Sequence, residues 1–367
     1  MTVLIIENSS IPSNNGRHYT NALNGLFIEE LIALGNEVVY FQFESATSYS
    51  ISSFELEEHG VYGLYSSYGR CKLFRYLRAY TLAIKAILSA RFVYLYYPNS
   101  FKYIALFCKV FKRPYGIYIR GMNNLNDSIS RGIYRNASAI LTVSDYFTAM
   151  VNRIVNKDLA QTIRPMIPYT DEDVIHNRYY ESKDKYIILY LGRIAKDKGL
   201  EELIFAIERL HQRGYHLKLR IVGNGEYLSE LLGLTRDRCL EGIISIEGPV
   251  FDKKEKANIY QQSDLYVLPT YHEGFPRTLY EAMIFGTPII TTFVGGIPAL
   301  MKNTENSLMI EPRSVESIVD ALTYAMNNYE DMGRMAKNAT EMVAKVVDHN
   351  RPTHARQLYD IIKDYGK

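Results

Sequence analysis

An alternation that runs through this chain twice constrains its fold more than any other feature: short apolar runs of strand length, each followed by a segment of helical periodicity. The first series opens with Thr2-Val3-Leu4-Ile5-Ile6, crosses a polar loop at Asn8–Gly16 and predicts a helix over about Arg17–Leu34, closed by Gly35. It continues with a strand at Val38–Phe41, a helix around Leu73–Ser89, a strand at Phe92–Tyr96, a helix around Phe101–Phe111, and strands near Ile117 and Ile140–Val143. From Ile163 the pattern breaks, with Pro165, Pro168, the acidic run Asp171-Glu172-Asp173 and tyrosine-rich charged sequence up to Lys185. The second series then predicts strands at Tyr186–Leu191, Leu217–Val222, Ile243–Glu247, Leu265–Leu268, Pro288–Thr291 and Leu308–Ile310, with helices at Leu200–Gln212, Lys254–Gln262, Tyr271–Phe285 and Val315–Val347 between and after them.

Strands alternating with helices predict mostly parallel sheets covered on both faces. Two such series in tandem predict an α/β protein of two Rossmann-like domains facing each other across a cleft. The expected division is residues 1–165, a linker at 166–185, and residues 186–350. A length of 367 residues suits two domains, because single cores stop growing at roughly 250–300 residues. In open sheets of this kind ligands bind beyond the carboxyl ends of the strands, so function is sought in the loops there.

Composition narrows the class. Hydrophobic residues make up 47% and charged residues 22%, which excludes disordered and collagen-like chains. Cys71, Cys108 and Cys239 are too few and too scattered for a disulfide framework or a cysteine-rich zinc site, and a reducing, cytoplasmic setting is expected. The first apolar run stops at Glu7, too short and without the basic start of a signal peptide, and no run reaches the length that spans a bilayer. The net charge of +2 conceals a strong asymmetry: between Glu58 and Asp127 there is no acid, against 11 lysines and arginines. Tyrosines and phenylalanines are interleaved with them. That mixture suits an anionic lipid surface or a phosphate-bearing substrate, and predicts a protein peripheral on the inner face of the cytoplasmic membrane. No nucleic-acid partner is expected.

Two loops of the second series carry the candidate chemistry. Gly192-Arg193-Ile194-Ala195-Lys196-Asp197-Lys198-Gly199 follows a strand directly and sets Arg193 and Lys198 where two cations can grip a diphosphate. Glu273-Gly274-Phe275-Pro276-Arg277-Thr278-Leu279-Tyr280-Glu281 opens a helix, whose free amides and dipole favour an anion. Glu281 falls two turns inside an otherwise apolar helix, where a carboxylate needs partners such as sugar or ribose hydroxyls.

Glu273 and Glu281, with seven residues between them, resemble the E-x7-E motif of retaining glycosyltransferases of the GT-B fold, family 4. Gly192-Arg193 with Lys198-Gly199, Val222-Gly223-Asn224-Gly225, Gly286-Thr287-Pro288-Ile289-Ile290 and Gly295-Gly296-Ile297-Pro298 fall in the order of that family. The likeness is strong from Tyr186 to about Pro312 and in outline only before it. It implies a donor site for a nucleotide-diphosphate sugar, with no cofactor and no metal. Arg193 and Lys198 would bind the phosphates, and Glu273 the sugar hydroxyls, these three being the catalytic set. Glu281 would take the ribose, and Gly274, Phe275, Pro276, Thr278 and Leu279 would meet sugar and phosphate through the backbone. Gly248 and Val250 would lie near the base, and Gly16 would close over the phosphates from the first domain. The helix at 351–367 is expected to pack back on that domain.

Many members carry a histidine after a strand in the middle of the first domain; the matching position here holds Arg120, an acceptor-side or catalytic candidate with His272. The basic, aromatic first domain suggests a membrane-held glycan acceptor, such as a polyprenyl-diphosphate-linked one, and the resemblance sets it in capsule, O-antigen (lipopolysaccharide) or exopolysaccharide assembly. The alternatives are an epimerase or hydrolase of nucleotide sugars on the same fold, and a non-catalytic carbohydrate-binding subunit. Weaker signals point elsewhere and are set aside. Asp171-Glu172-Asp173 has a metal-type D-x-D spacing but reads as a solvated acidic turn, and Leu228 occupies the third glycine position of a dinucleotide fingerprint.

Overall fold

A computed structural model describes residues 1–8, 10–45, 52–66, 72–121, 125–274 and 276–366. The chain forms two compact units, one from Met1–Ile167 with the segment from Arg351 onward, the other from Pro168–Asn350.

In the first unit the opening apolar run becomes the strand Thr2–Ile6, flanked in parallel by Glu37–Ser45 on one side and Phe92–Tyr97 on the other. Beyond Phe92–Tyr97 the parallel order continues through Tyr115–Ile119, Ala139–Thr142 and Ala160–Thr162. Alternate side chains face opposite layers, as the twofold strand period requires. Leu4 and Ile6 pack with Ala79, Ala83 and Ile87 of the helix Lys72–Ser89. Val3 and Ile5 pack instead with Phe27, Ile28 and Leu31 of the helix Ala22–Ala33, and with Ala355, Leu358 and Ile362 of the carboxy-terminal helix His354–Ile362. Each such fully buried aliphatic side chain contributes about 1.5–3 kcal/mol, so the sheet is held from both sides.

The helix expected over Arg17–Leu34 is shorter. Arg17–Asn21 is instead a strand pairing antiparallel with Ile11–Asn14, and the helix starts at Ala22, where the Asn21 side chain accepts a hydrogen bond from the Asn24 N–H. Asn15 and Gly16 both have positive φ, 50° and 77°. That is the conformation an Asn-Gly hairpin turn prefers.

The second unit is a six-stranded parallel sheet in the spatial order Ile244–Glu247, Leu217–Val222, Tyr186–Leu191, Leu265–Leu268, Ile289–Thr292, Leu308–Ile310. The chain leaves Tyr186–Leu191 towards one edge and returns on its other side at Leu265–Leu268. The chain therefore runs in opposite directions along the sheet order from these two strands, and the loops that follow them both lie at its carboxyl edge, where ligands of such sheets bind. The expected helix Val315–Val347 is two, Val315–Asn327 and Tyr329–Val346, broken at Asn328.

The segment before this sheet is bound to its own unit. Arg178 Nη1 donates to the carbonyls of Tyr260 (3.3 Å) and Phe285 (3.2 Å) and to Thr287 Oγ1 (3.1 Å), while the Tyr180 hydroxyl donates to the Gly286 carbonyl at 2.8 Å. A guanidinium at the end of the helix Arg277–Ile284 also complements that helix's negative pole.

Candidate donor site in the second unit

The loops after Tyr186–Leu191 and Leu265–Leu268 are stitched together through their backbones. Tyr271 N donates to the Asp197 carbonyl at 2.8 Å, and the Thr270 hydroxyl lies 3.2 Å from the same oxygen. Gly199 has φ +67°, and a Cβ there would fall 2.2 Å from the Pro269 carbonyl oxygen, so only glycine permits the approach. Lys198 is thereby fixed at the end of the short 3-10 turn Lys196–Lys198. A second glycine fixes its partner: at Gly295, φ +60°, a Cβ would sit 1.8 Å from the Glu273 carbonyl oxygen.

The consequence is a direct ion pair between Lys198 Nζ and Glu273 Oε1, with Asp197 Oδ2 3.8 Å from the same ammonium. Lys198 is 8% exposed. Arg193 is half-exposed beside it, its guanidinium reaching Asp197 at 3.3 Å and Glu226 at 3.2 Å. A phosphate entering here meets two cations whose present partners lie in or next to the same loops.

Glu281 behaves differently. It sits inside the helix Arg277–Ile284 at 5% exposure, accepts a hydrogen bond from the Tyr260 hydroxyl at 3.0 Å, and has Lys256 Nζ at 3.9 Å. Burial pushes its carboxyl above the ordinary range, with Lys256, the Tyr260 hydroxyl and Arg277 pulling the other way. Tyr266 donates to Thr278 Oγ1 at 2.7 Å and holds the first turn of the same helix.

The remaining expected residues fall as follows. Gly274 and Thr278 are partly exposed, whereas Pro276 and Leu279 are buried, and the Leu279 N–H donates to the Pro276 carbonyl at 3.3 Å. His272 is exposed. Gly248 is exposed and Val250 half-buried, both after the strand Ile244–Glu247. Phe275 lies outside the described residues. In the first unit, Gly16 is exposed at the hairpin tip, and Arg120 is half-buried just past the strand Tyr115–Ile119.

The acidic turn Asp171–Asp173 is a capped 3-10 turn. Asp171 accepts the His349 backbone N–H at 2.8 Å and meets its ring at 3.0 Å, and Asp173 pairs with Lys253 at 2.8 Å. The carboxylates of Asp171 and Asp173 are engaged within the fold. Sequence reasoning did not single out Tyr260 and Lys256, which stand four apart on one helix and both reach Glu281. Their spacing places them on one face, but the partner helix could not be read from it.

A parallel sheet whose carboxyl-edge loops bring two cations, Arg193 and Lys198, and the carboxylate of Glu273 together, with Glu281 buried in the next helix, defines an α/β domain of doubly wound type. Residues 171–342, most of the second unit, match the family described as glycosyl transferases group 1. Across 164 residues the chain is 29% identical to the capsular polysaccharide biosynthesis glycosyltransferase CapM of Staphylococcus aureus, covering 43% of this chain and 41% of that one. It is 28% identical over 187 residues to the alpha-D-kanosaminyltransferase of Streptomyces kanamyceticus, covering 51% and 48%. The chain thus spans about half the length of the curated relatives it matches. Over 99% of both chains its structure is similar to Anabaena HepE in complex with UDP, with a TM-score of 0.67 at 16% identity. The fold is GT-B, with two parallel-sheet domains in one chain.

Proposed function

We propose that this chain is a retaining glycosyltransferase that takes a sugar from a nucleoside-diphosphate sugar and adds it to a lipid-linked glycan during bacterial surface-polysaccharide assembly. The Lys198–Glu273 pair carries the reading. Separating two such charges is costly unless each finds a new partner. A nucleoside-diphosphate sugar supplies both, phosphate oxygens for Lys198 and sugar hydroxyls for Glu273. Similarity of the second unit to glycosyl transferases group 1 supports it.

In this mechanism Arg193 and Lys198 neutralise the diphosphate as the bond from sugar C1 to phosphate oxygen breaks. The acceptor hydroxyl attacks from the same face and passes its proton to that phosphate oxygen, so configuration is retained and nucleoside diphosphate leaves. The cationic side chains take the charge-stabilising role without a divalent metal. Glu281 holds the ribose.

Thermal-shift titration against UDP-, GDP- and ADP-sugars tests the donor site. One donor class is expected to stabilise the protein, by about 2.7 kcal/mol at a hundred times its Kd, and the Arg193→Ala/Lys198→Ala variant is expected to lose the effect. The anomeric configuration of the product, read by NMR, should match that of the donor. No stabilisation by any donor at millimolar concentration would sink the proposal. Release of free nucleotide without acceptor would favour a hydrolase or epimerase, and binding without turnover a carbohydrate-binding subunit.

The amino-terminal unit offers a surface for the lipid. Leu73, Phe74 and Leu77 are exposed on the helix Lys72–Ser89, and Leu106 and Val110 on the helix Ile104–Val110, beside Arg78, Lys109 and Lys112. Apolar residues projecting among cations match an anionic bilayer surface. Among the described residues no helix is long and apolar enough to cross a membrane. Pelleting with phosphatidylglycerol-rich vesicles should be strong at low salt, fall steeply at 0.5 M salt and weaken severalfold in Leu77→Asp. Failure to pellet at low salt would refute the membrane part alone.

A further inference from the structure

Among the described residues the Arg120 side chain has no hydrogen-bond or ion-pair partner, although its backbone is held firmly. Its backbone N–H donates to the Tyr97 carbonyl at 2.9 Å, which fixes it at the carboxyl edge of the first sheet. Its guanidinium lies over the rings of Tyr96 and Tyr118, 5.4 and 5.7 Å from their centroids. The His354 ring packs on Tyr118, with centroids 4.3 Å apart. His354 is itself buried and held neutral, its pKa pushed down to about 3 by burial and then by the charge of Arg120. The platform is therefore aromatic and uncharged. No hydrogen bond or ion pair from the described residues reaches the Arg120 side chain, although a guanidinium carries five donors in a fixed fork.

The nearby acid does not answer it. Glu7, at the end of the strand Thr2–Ile6, is 2% exposed. Its carboxylate accepts from Asn24 at 2.7 Å, from Thr20 at 3.3 Å and from the Tyr40 hydroxyl. Glu7 lends the guanidinium favourable potential from a distance while its own oxygens are bound elsewhere. A purely structural arginine at this depth would be expected to spend its donors on carbonyls or carboxylates, as Arg178 does in the other unit. Contact with the two rings holds the guanidinium in place and leaves its fork unspent among the described residues.

We infer that Arg120 is a binding residue for an oxyanion, a phosphate or a carboxylate, carried by the glycan acceptor. The inference rests on the glycosyltransferase reading for the word acceptor, while anion binding at Arg120 stands on the geometry of the first unit alone. The chemistry has two sources, the diphosphate of a lipid carrier or the carboxylate of an acidic sugar.

The test uses the full chain carrying Arg193→Gln and Lys198→Met, which removes the donor-side cations. Calorimetric titration with inorganic pyrophosphate, and separately with D-glucuronate, is expected to show binding of at least one. Adding Arg120→Gln should weaken it at least tenfold, and Arg120→Lys, which keeps the charge but loses the fork, should fall between. Stronger binding of pyrophosphate assigns the site to a lipid diphosphate, and stronger binding of glucuronate to an acidic sugar. In wild-type protein labelled with 15N-arginine, one Nε–Hε resonance absent from Arg120→Lys should shift with the same anion, which covers a poorly folding Arg120→Gln chain. Equal binding with and without Arg120, or no binding of either anion, overturns the inference. Nucleotide titration of wild type against the Arg193/Lys198 variant reports separately on the donor reading.

Discussion

Glu273→Gln is expected to lower sugar-transfer turnover by about 10²–10³-fold, the usual loss when one preorganised group facing developing charge is removed. The substitution keeps the shape of the side chain and leaves the backbone where Gly295 fixes it, because the Glu273 carbonyl contact does not involve the carboxylate. What changes is charge. Without it, Lys198 loses its carboxylate partner, and the sugar hydroxyls lose a strong acceptor as positive charge grows at C1. Donor KM should change far less than kcat, since the phosphates remain held by Arg193 and Lys198. Lys198→Met should lose turnover to a similar extent, and the double variant should be scarcely worse than either single one, because residues in direct contact do not act additively. Steady-state release of nucleoside diphosphate measures all three. A fall of less than fivefold for Glu273→Gln would remove this carboxylate from the reaction.

How much of this was legible beforehand differs between the units for physical reasons. In the second unit the strands Tyr186–Leu191, Leu217–Val222, Leu265–Leu268 and Leu308–Ile310 match the expected bounds. Strands inside a parallel sheet are mostly apolar, Lys218 and Arg220 being the exceptions in these four, and their ends are marked by glycine, proline or charge. The loops were legible as well, since close backbone approach restricts them to glycine at Gly199 and Gly295. In the first unit the hairpin at Ile11–Asn21 was passed over, although Asn15-Gly16 is its turn signal, because Arg17–Asn21 also fits the start of a helical pattern. The break at Asn328 was not readable, because neither glycine nor proline stands at positions 327–329 to mark it. Contacts made across the sheet were not readable at all. The ring platform under Arg120 joins Tyr96, Tyr118 and His354, and the last lies 236 residues beyond Tyr118. No local pattern encodes a pairing at that range.

Glu281→Gln should separate stability from binding. The folded carboxyl is pushed up by burial, so its folded pKa lies above the unfolded value. Any stability from this group is full below the unfolded pKa and is lost as pH rises through the folded one. Ionising this carboxyl therefore costs more in the ligand-free folded protein than in the unfolded chain. Glutamine has nearly the same volume, accepts the same Tyr260 hydrogen bond and carries no charge. The variant should consequently melt higher than wild type at pH 7 without ligand, and the difference should shrink as pH falls towards 4. Nucleotide affinity should move the opposite way, by about 10- to 100-fold, the effect of replacing hydrogen bonds to a charged acceptor by neutral ones. Melting curves at pH 4.5 and 7, with and without nucleotide, read both quantities on the same sample. A variant that melts lower at pH 7 would mean that Lys256, 3.9 Å away, more than offsets the desolvation, and that Glu281 holds the fold rather than the ribose. The opposite result fits a carboxylate kept at a cost in stability because its remaining hydrogen-bonding capacity is filled by the donor.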